Sequence, residues 1–454
     1  MPNQLKKCLS LWDIVVYGVG LILGAGIYVL IGAGAGIAGN MLWLSFLIAG
    51  LVASFTAMSY SELSSMYPKS AAEFLFVREA FGSKDLAWFV GFFGILIGFS
   101  SVATVALGFA QYFTLFLPIN TILIAIGLIV FMSGVSFWGI KQSARFNLVA
   151  TTIEVGGLLL IIVIGGYQIL TKEIPPVDLL SLPELKESAQ TGFYTIVSVG
   201  ALMFFAYIGF EDIANIAEEA INPQKVLSKA FIYSLTISTI IYILVAIVVV
   251  HIVPYNQLAS THQPLSLVMK SLIGRQGSVL ITVIALFATA NTALVILIVS
   301  ARMLYGMSKE GSLPLLFSRV HKTRKTPWFS VIVTGIITLL FLSFREIKIL
   351  ASISNIGIFL VFLFVNISNI LLRYKKPNLK RPWRTPLNIK SFPLISSLGA
   401  ISCIAMLIVI NHDVEVYGMQ IPSLLLGLIV FAMTIPIYFI SSKFLKKNIE
   451  GKAN

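Results

Sequence analysis

Long apolar runs succeed one another along almost the whole chain, and nothing else constrains its fold as strongly. They lie near 13–36, 41–65, 86–117, 119–139, 147–171, 192–217, 230–253, 277–307, 328–344, 347–372, 392–411 and 421–441. Runs of about 20 residues are long enough to cross a hydrocarbon core roughly 30 Å thick. No water is available there to satisfy backbone N–H and C=O groups, so segments of this length cross as helices. The expectation is an all-α integral membrane protein with about twelve transmembrane helices. Composition agrees: only 11% of residues are charged and the mean hydropathy is +0.94, against a quarter charged in soluble domains. No polar stretch is long enough for a soluble domain, and the first apolar run continues too far to be a cleavable leader.

Basic residues set the orientation. With the N-terminus in the cytoplasm, all but six of the 32 lysines and arginines fall in the tails and loops on that side. The six are Lys172, Lys186, Lys270, Arg275, Arg345 and Lys348. Such asymmetry over short loops places both termini inside. The net charge of +13 therefore reflects cytoplasmic loops, not a nucleic-acid surface. The densest patch, Arg373 to Arg384, is read as contact with anionic lipid headgroups.

Two spans are interrupted by small or helix-weakening residues at mid-membrane. One reads Gly20-Leu21-Ile22-Leu23-Gly24-Ala25-Gly26-Ile27-Tyr28, the other Phe204-Phe205-Ala206-Tyr207-Ile208-Gly209-Phe210-Glu211. A break there is tolerated where it lines a cavity or binds a ligand. A pair of breaks in corresponding positions of two halves points to a transporter's substrate site. Each falls in the first span of a five-span unit, and an odd span count makes the second unit inverted. The expected units are residues 1–171, residues 172–372 with a long external loop at 172–191, and residues 373–454 carrying the basic loop and two further spans. Gly20 and Gly24 taken alone would suggest helix packing, as Gly32, Gly34 and Gly36 do.

These residues carry a family resemblance. Leu23-Gly24-Ala25-Gly26-Ile27-Tyr28-Val29-Leu30 resembles the first-span signature of the amino acid–polyamine–organocation (APC) superfamily, near its cationic amino acid transporter branch. Phe205-Ala206-Tyr207-Ile208-Gly209-Phe210-Glu211, then Ala217-Glu218-Glu219 and Asn222-Pro223-Gln224-Lys225, is similar to its sixth span and exit. Pro68-Lys69-Ser70-Ala71 with Val77 to Gly82, and Ser300-Ala301-Arg302-Met303-Leu304-Tyr305 with Gly311 to Pro314 and Lys325-Thr326-Pro327, resemble the ends of spans two and eight. The resemblance runs in order from residue 11 to about 330. It implies a LeuT-like 5+5 inverted repeat with spans one and six broken, two extra C-terminal helices, and an amino acid as substrate.

The chemistry of the residues fits that implication. N–H groups freed at Gly24, Ala25 and Gly26, with Ile27 following, open a half-helix whose positive end suits a carboxylate. Carbonyls freed at Ile22, Phe205, Ala206 and Ile208 suit an α-ammonium. The family places an aromatic gate over the substrate at the position of Phe205.

Charged residues inside spans are expensive and commonly functional. Glu154, two turns into span five, stands where proton-coupled relatives have a lysine relative to the basic residue matched by Arg145. That lysine mechanism does not carry over. A desolvated carboxylate can exchange a proton near neutral pH, can ligate Na⁺, or can be structural. Glu211, beside Asp212, matches a family position linked to proton coupling; local pairing is the alternative. Glu62 is read as a structural ion-pair partner. Cys8 and Cys403 offer neither disulfide nor metal cluster, the four histidines lie at span ends or in loops, and no catalytic or metal site is expected. H⁺ or Na⁺ is the only cofactor-like requirement.

The expected function is secondary active transport of amino acids across the cell membrane by alternating access, as proton-coupled symport. Exchange and sodium-coupled symport are the alternatives, and a non-transporting nutrient receptor a remote one. A channel would need a charged ring or filter loop, and an enzyme a nucleophile–base pair or metal cluster. No nucleic acid and no obligatory protein partner is expected beyond the substrate and membrane lipids. Whether the amino acid is cationic or neutral stays open.

Overall fold

The first helix begins where its sequence can satisfy its own open end. Asp13 accepts hydrogen bonds from the Ser10 backbone N–H (2.8 Å) and hydroxyl (2.6 Å), and Ser10 Oγ accepts from the Asp13 N–H, a capping box. From there α1 (Leu11–Ile22) runs into a break at Leu23 and Gly24, and α2 (Ala25–Ala38) resumes beyond it. Next come α3 (Leu42–Met66), α4 (Ala72–Phe81), α5 (Lys84–Phe113), α6 (Thr121–Trp138) and α7 (Ile140–Leu170). A second set follows. It holds α8 (Gly192–Met203), a 3-10 turn Phe204–Tyr207, α9 (Asp212–Asn215), α10 (Pro223–Ile252), α11 (Tyr255–Ser260), α12 (Pro264–Lys309), α13 (Trp328–Phe341) and α14 (Ile347–Lys375). Helix α12 bends at Ile273 and Gly274, whose dihedrals leave the helical region. Helices α15 (Leu394–Val409), α16 (Ser423–Ala432) and α17 (Thr434–Ala453) close the chain.

The computed structural model describes residues 9–69, 71–138, 140–171, 177–181, 192–217, 220–324, 326–410, 413–416 and 419–453; the side chains of 140–146, 413–416 and 444–453 are outside that description. Cys8, Ser70, Glu218, Glu219, Lys325, His412, most of the 172–191 loop and the side chain of Arg145 therefore lie outside the described residues. Among those described, nine helical stretches are long and apolar enough to cross a membrane; Leu11–Met66, which holds α1 to α3, counts as one, and Trp328–Phe344 and Leu394–Val409 are shorter apolar helices. Helix dominates, as expected of an integral membrane protein. The described strands form two small antiparallel hairpins: β1 (Asn388–Ile389) with β2 (Phe392–Pro393), and β3 (Asp413–Val416) with β4 (Met419–Pro422). Several boundaries differ from expectation: α7 begins at Ile140, α10 at Pro223 and α12 at Pro264, each well before its apolar run, and α14 continues past 372 to Lys375.

Packing follows a paired plan. Helix α3 lies against α10 and α5 against α12. Contacts of α1 with α10, α5 with α14, α5 with α6, and α12 with α6 recur as α8 with α3, α12 with α7, α12 with α13, and α5 with α13. Each pair maps onto its counterpart when the two halves are exchanged. Gly32 and Gly36 let α2 approach Leu258 and Ala259 of α11, and Gly34 makes room for Met203 of α8, which suits their reading as packing residues.

One face gathers the segment just before α1, α4, the exit of α9 and the end of α12. Leu9 forms an isolated parallel bridge with Ala220, and the Ile221 N–H donates to the Leu9 carbonyl (2.9 Å). Asn215 Oδ1 accepts from the Ala71 and Ala72 amides at the start of α4 (3.1 and 3.4 Å). On the same face the fully buried Glu62 of α3 takes two bonds from Arg373 (2.7 and 2.6 Å) and one from the Thr385 N–H (2.9 Å), with Arg381 Nε at 3.3 Å. Glu62 is thus the ion-pair partner expected. The basic patch is partly turned inward through Arg373 and Arg381, while Lys376, still half-exposed, pairs with Glu79 (2.7 Å).

Candidate functional site

The two breaks meet. A Cβ on Gly26 would land on the Cα of Ala206, and one on Gly24 would strike Thr292 Oγ1 of α12, so backbone approaches closely at both points. Gly209 has φ +119°, a conformation that L side chains rarely adopt, and its missing Cβ faces the Leu21 carbonyl. This lets the chain turn from the 3-10 segment at Phe204–Tyr207, through Ile208 (ψ 131°), into α9.

Polar groups released by the breaks have partners from neighbouring helices. The Ala25 N–H donates to Thr292 Oγ1 (3.0 Å). The hydroxyl of Tyr242, on α10, reaches both the Ile22 and the Ala206 carbonyls. It has one hydrogen to donate, so it serves one of the two at a time. Tyr207 donates to the Phe46 carbonyl (2.9 Å), Tyr112 to that of Tyr28 (2.9 Å), and Tyr28 to the backbone oxygen of Glu154 (3.1 Å). Buried tyrosines thus supply the donors that a dry interior lacks.

A cavity of about 60 Å³ opens beside the breaks toward the face that carries α4. That is room for roughly four ordered waters. It is lined by Leu21, Ile208, Gly209, Glu211, Asp212 and Glu73, with Asn291 and Thr292 on the α12 wall. Of the residues expected at the site, Ile208 and Glu211 line this cavity. Ile22, Gly24, Ala25, Gly26, Ile27, Phe205 and Ala206 sit behind it, in and around the meeting point of the breaks. Phe205 is buried and does not cover the cavity.

The coupling candidates are held differently. Glu211 accepts from the Gly209 N–H (2.9 Å) and so stabilises the turn it follows. Asp212 accepts from Asn215 (3.2 Å). Glu154, on α7, is fully buried, and neither carboxylate oxygen has a hydrogen-bond partner. Glu73, on α4 between the long helices, accepts from the Tyr60 hydroxyl (3.0 Å), and burial holds its carboxyl above the usual carboxylate range.

Sequence reasoning missed Tyr242, Thr292, Glu73 and Asn291. Tyr242 carried a usable signal: a hydroxyl in the apolar run Ile240-Ile241-Tyr242-Ile243-Leu244 needs a partner inside the membrane. Thr292 carried none, because a threonine in a membrane helix can bond its own preceding turn. Thr292 does so with Ala288 (3.0 Å) while also serving Ala25.

A family model described as amino acid permease matches residues 9–440. The chain is 30% identical over 456 residues to the branched-chain amino acid permease BcaP of Bacillus subtilis (strain 168), covering 94% of this chain and 93% of that one. It is 30% identical over 416 residues to the methylthioribose transporter of the same organism, covering 87% of each. It is 31% identical over 396 residues to the vacuolar cationic amino acid transporter 4 of Arabidopsis thaliana, covering 83% of this chain and 65% of that one.

Proposed function

The chain belongs to the amino acid permease family of the APC superfamily, and on that premise we propose that it carries amino acids by alternating access around its two helix breaks, as a proton-coupled symporter of the cell membrane. Amino acid transport, rather than enzymatic chemistry, follows from the family and its transporter relatives. The observation that carries the finer reading is the contact of the breaks, Gly26 against Ala206 and Gly209 against Leu21.

Several features support the architecture proposed with it: twelve crossings, two inverted five-helix units, and both termini in the cytoplasm. The exchange of packing partners between the halves is what an inverted repeat produces. The asymmetry of basic residues supports the orientation. In this reading the substrate carboxylate takes the amides at the start of α2. Its ammonium takes whichever of the Ile22 and Ala206 carbonyls the Tyr242 hydroxyl leaves free. Glu154 holds a buried, unpaired charge unless a proton or cation accompanies it, which supports a coupling role.

The test is uptake of radiolabelled amino acids into proteoliposomes, under a proton gradient, a sodium gradient or neither, with the twenty amino acids as competitors. Accumulation driven by the proton gradient alone is expected. Binding without flux would leave a receptor, and counterflow without response to either gradient would leave an exchanger.

A further inference from the structure

The cavity beside the breaks has a largely apolar wall into which three carboxyls are set, those of Glu73, Glu211 and Asp212, and among the described residues its lining includes no lysine, arginine or histidine. Glu211 and Asp212 each have a local donor, but Glu73 is only half served. Its side chain is 4% exposed and Oε1 has Tyr60, while Oε2 has no partner. Across the cavity, Asn291 is 2% exposed; its amide is spent on Asn147 (2.9 Å), and its Oδ1 also lacks a donor. Unserved buried acceptors are costly, and carboxylates around one space repel each other. The site is complementary to a cation rich in N–H donors.

Spacing narrows the chemistry. Among the described residues no three His, Cys, Asp or Glu side chains are grouped so as to hold a metal ion. An alkylammonium presents three donors and a charge over a larger volume than a bare ion does. We propose that this cavity is a second binding station for an organic ammonium group, anchored by Glu73, on the path between the helix breaks and the α4 face. Its place on the path rests on the transport reading above. The binding itself does not. The α-ammonium of a neutral amino acid and the side-chain ammonium of a cationic one share this chemistry.

Cadaverine, which has ammonium groups and no carboxylate, isolates the station. Its binding to the full-length protein in lipid nanodiscs is measured by calorimetry. Glu73→Gln keeps the shape and the Tyr60 contact but removes the charge, and should weaken binding about tenfold or more. Glu73→Asp should recover part of the loss, and Asp212→Asn should weaken binding independently should Glu73→Gln not fold. Unchanged affinity in both charge-removing variants overturns the proposal. So does displacement of cadaverine by sodium chloride but not by choline chloride, which would make the site one for an inorganic cation. Displacement by lysine alone assigns the side-chain ammonium, and displacement by leucine as well assigns the α-ammonium. Displacement by neither removes the station from the substrate path. Glu73-dependent cadaverine binding in a protein without amino acid flux would sink the transport reading and spare the station. Flux with Glu73-independent cadaverine binding would do the reverse.

Discussion

At the scale of single residues, the joint between the breaks depends on one hydroxyl and on missing methyl groups. Tyr242→Phe keeps the ring and removes the donor shared by the Ile22 and Ala206 carbonyls. A buried acceptor left unserved costs about 1–3 kcal/mol, so the variant should reach the membrane and lose roughly 10-fold or more of its uptake. Wild-type kinetics in Tyr242→Phe would remove the hydroxyl from the site. Gly26→Val should abolish uptake too, for a reason that differs from the one the sequence suggests. Amides that suit a carboxylate would suggest a side chain obstructing the substrate, whereas the Cβ is aimed at the Ala206 backbone and forces the two breaks apart. A fall in the thermal unfolding midpoint should therefore accompany the lost uptake. Loss of uptake at unchanged stability would favour the obstruction account. Glycine was legible here because it marks close approach whatever approaches. Tyr242 was legible only as a hydroxyl in need of a partner; which carbonyls it serves was not, because helices distant in sequence bring them to it.

At the scale of elements, the end of α14 and the loop after it are clamped to α3. Arg373 is 2% exposed and Glu62 fully buried, at 2.6 Å, and removing one partner of such a pair leaves a buried charge uncompensated. Glu62→Gln should destabilise the protein by about 3–5 kcal/mol, read as a lowered unfolding midpoint in detergent. The double variant Glu62→Gln with Arg373→Met should regain much of it. Equal midpoints in wild type and Glu62→Gln would show that Thr385 and Asn388, which also bond Arg373, suffice to hold the loop. The acid of this pair was legible, since a glutamate in an apolar helix needs a cation. Its partner was hidden in a basic run that reads as lipid contact, and only the fold separates Arg373, Arg381 and Lys376 from the outward-facing charges. The bend of α12 at Gly274 and the inward faces of α5 and α12 were likewise unreadable, because apolar runs without polar alternation do not say which side faces protein.

At the scale of the whole molecule, the membrane class, the order of the helices and the two breaks could all be read from hydrophobic runs and their interruptions. Their exchange-related packing could only be inferred from odd span counts. The coupling ion belongs to this scale, because it is a property of the cycle. Both oxygens of Glu154 are buried and unserved, and under the proposed coupling this carboxyl takes up a proton or a cation during the cycle. If a proton, uptake rises as external pH falls without requiring sodium, and Glu154→Gln flattens the dependence by fixing the neutral form. Strict sodium dependence would make the carboxylate a cation ligand, and an unchanged pH profile in Glu154→Gln would make it structural.

The short pairing of Leu9 with Ala220 has a mechanical consequence. Helix α1 is stiffened at its start by the Ser10–Asp13 capping box, and immediately before it the chain is fastened to the segment that leaves α9. Two half-helices that flank a common joint are thereby yoked at their outer ends. In the alternating access proposed above, tilting one transmits torque to the other through backbone bonds, so that both turn as a single lever about the Gly26–Ala206 contact.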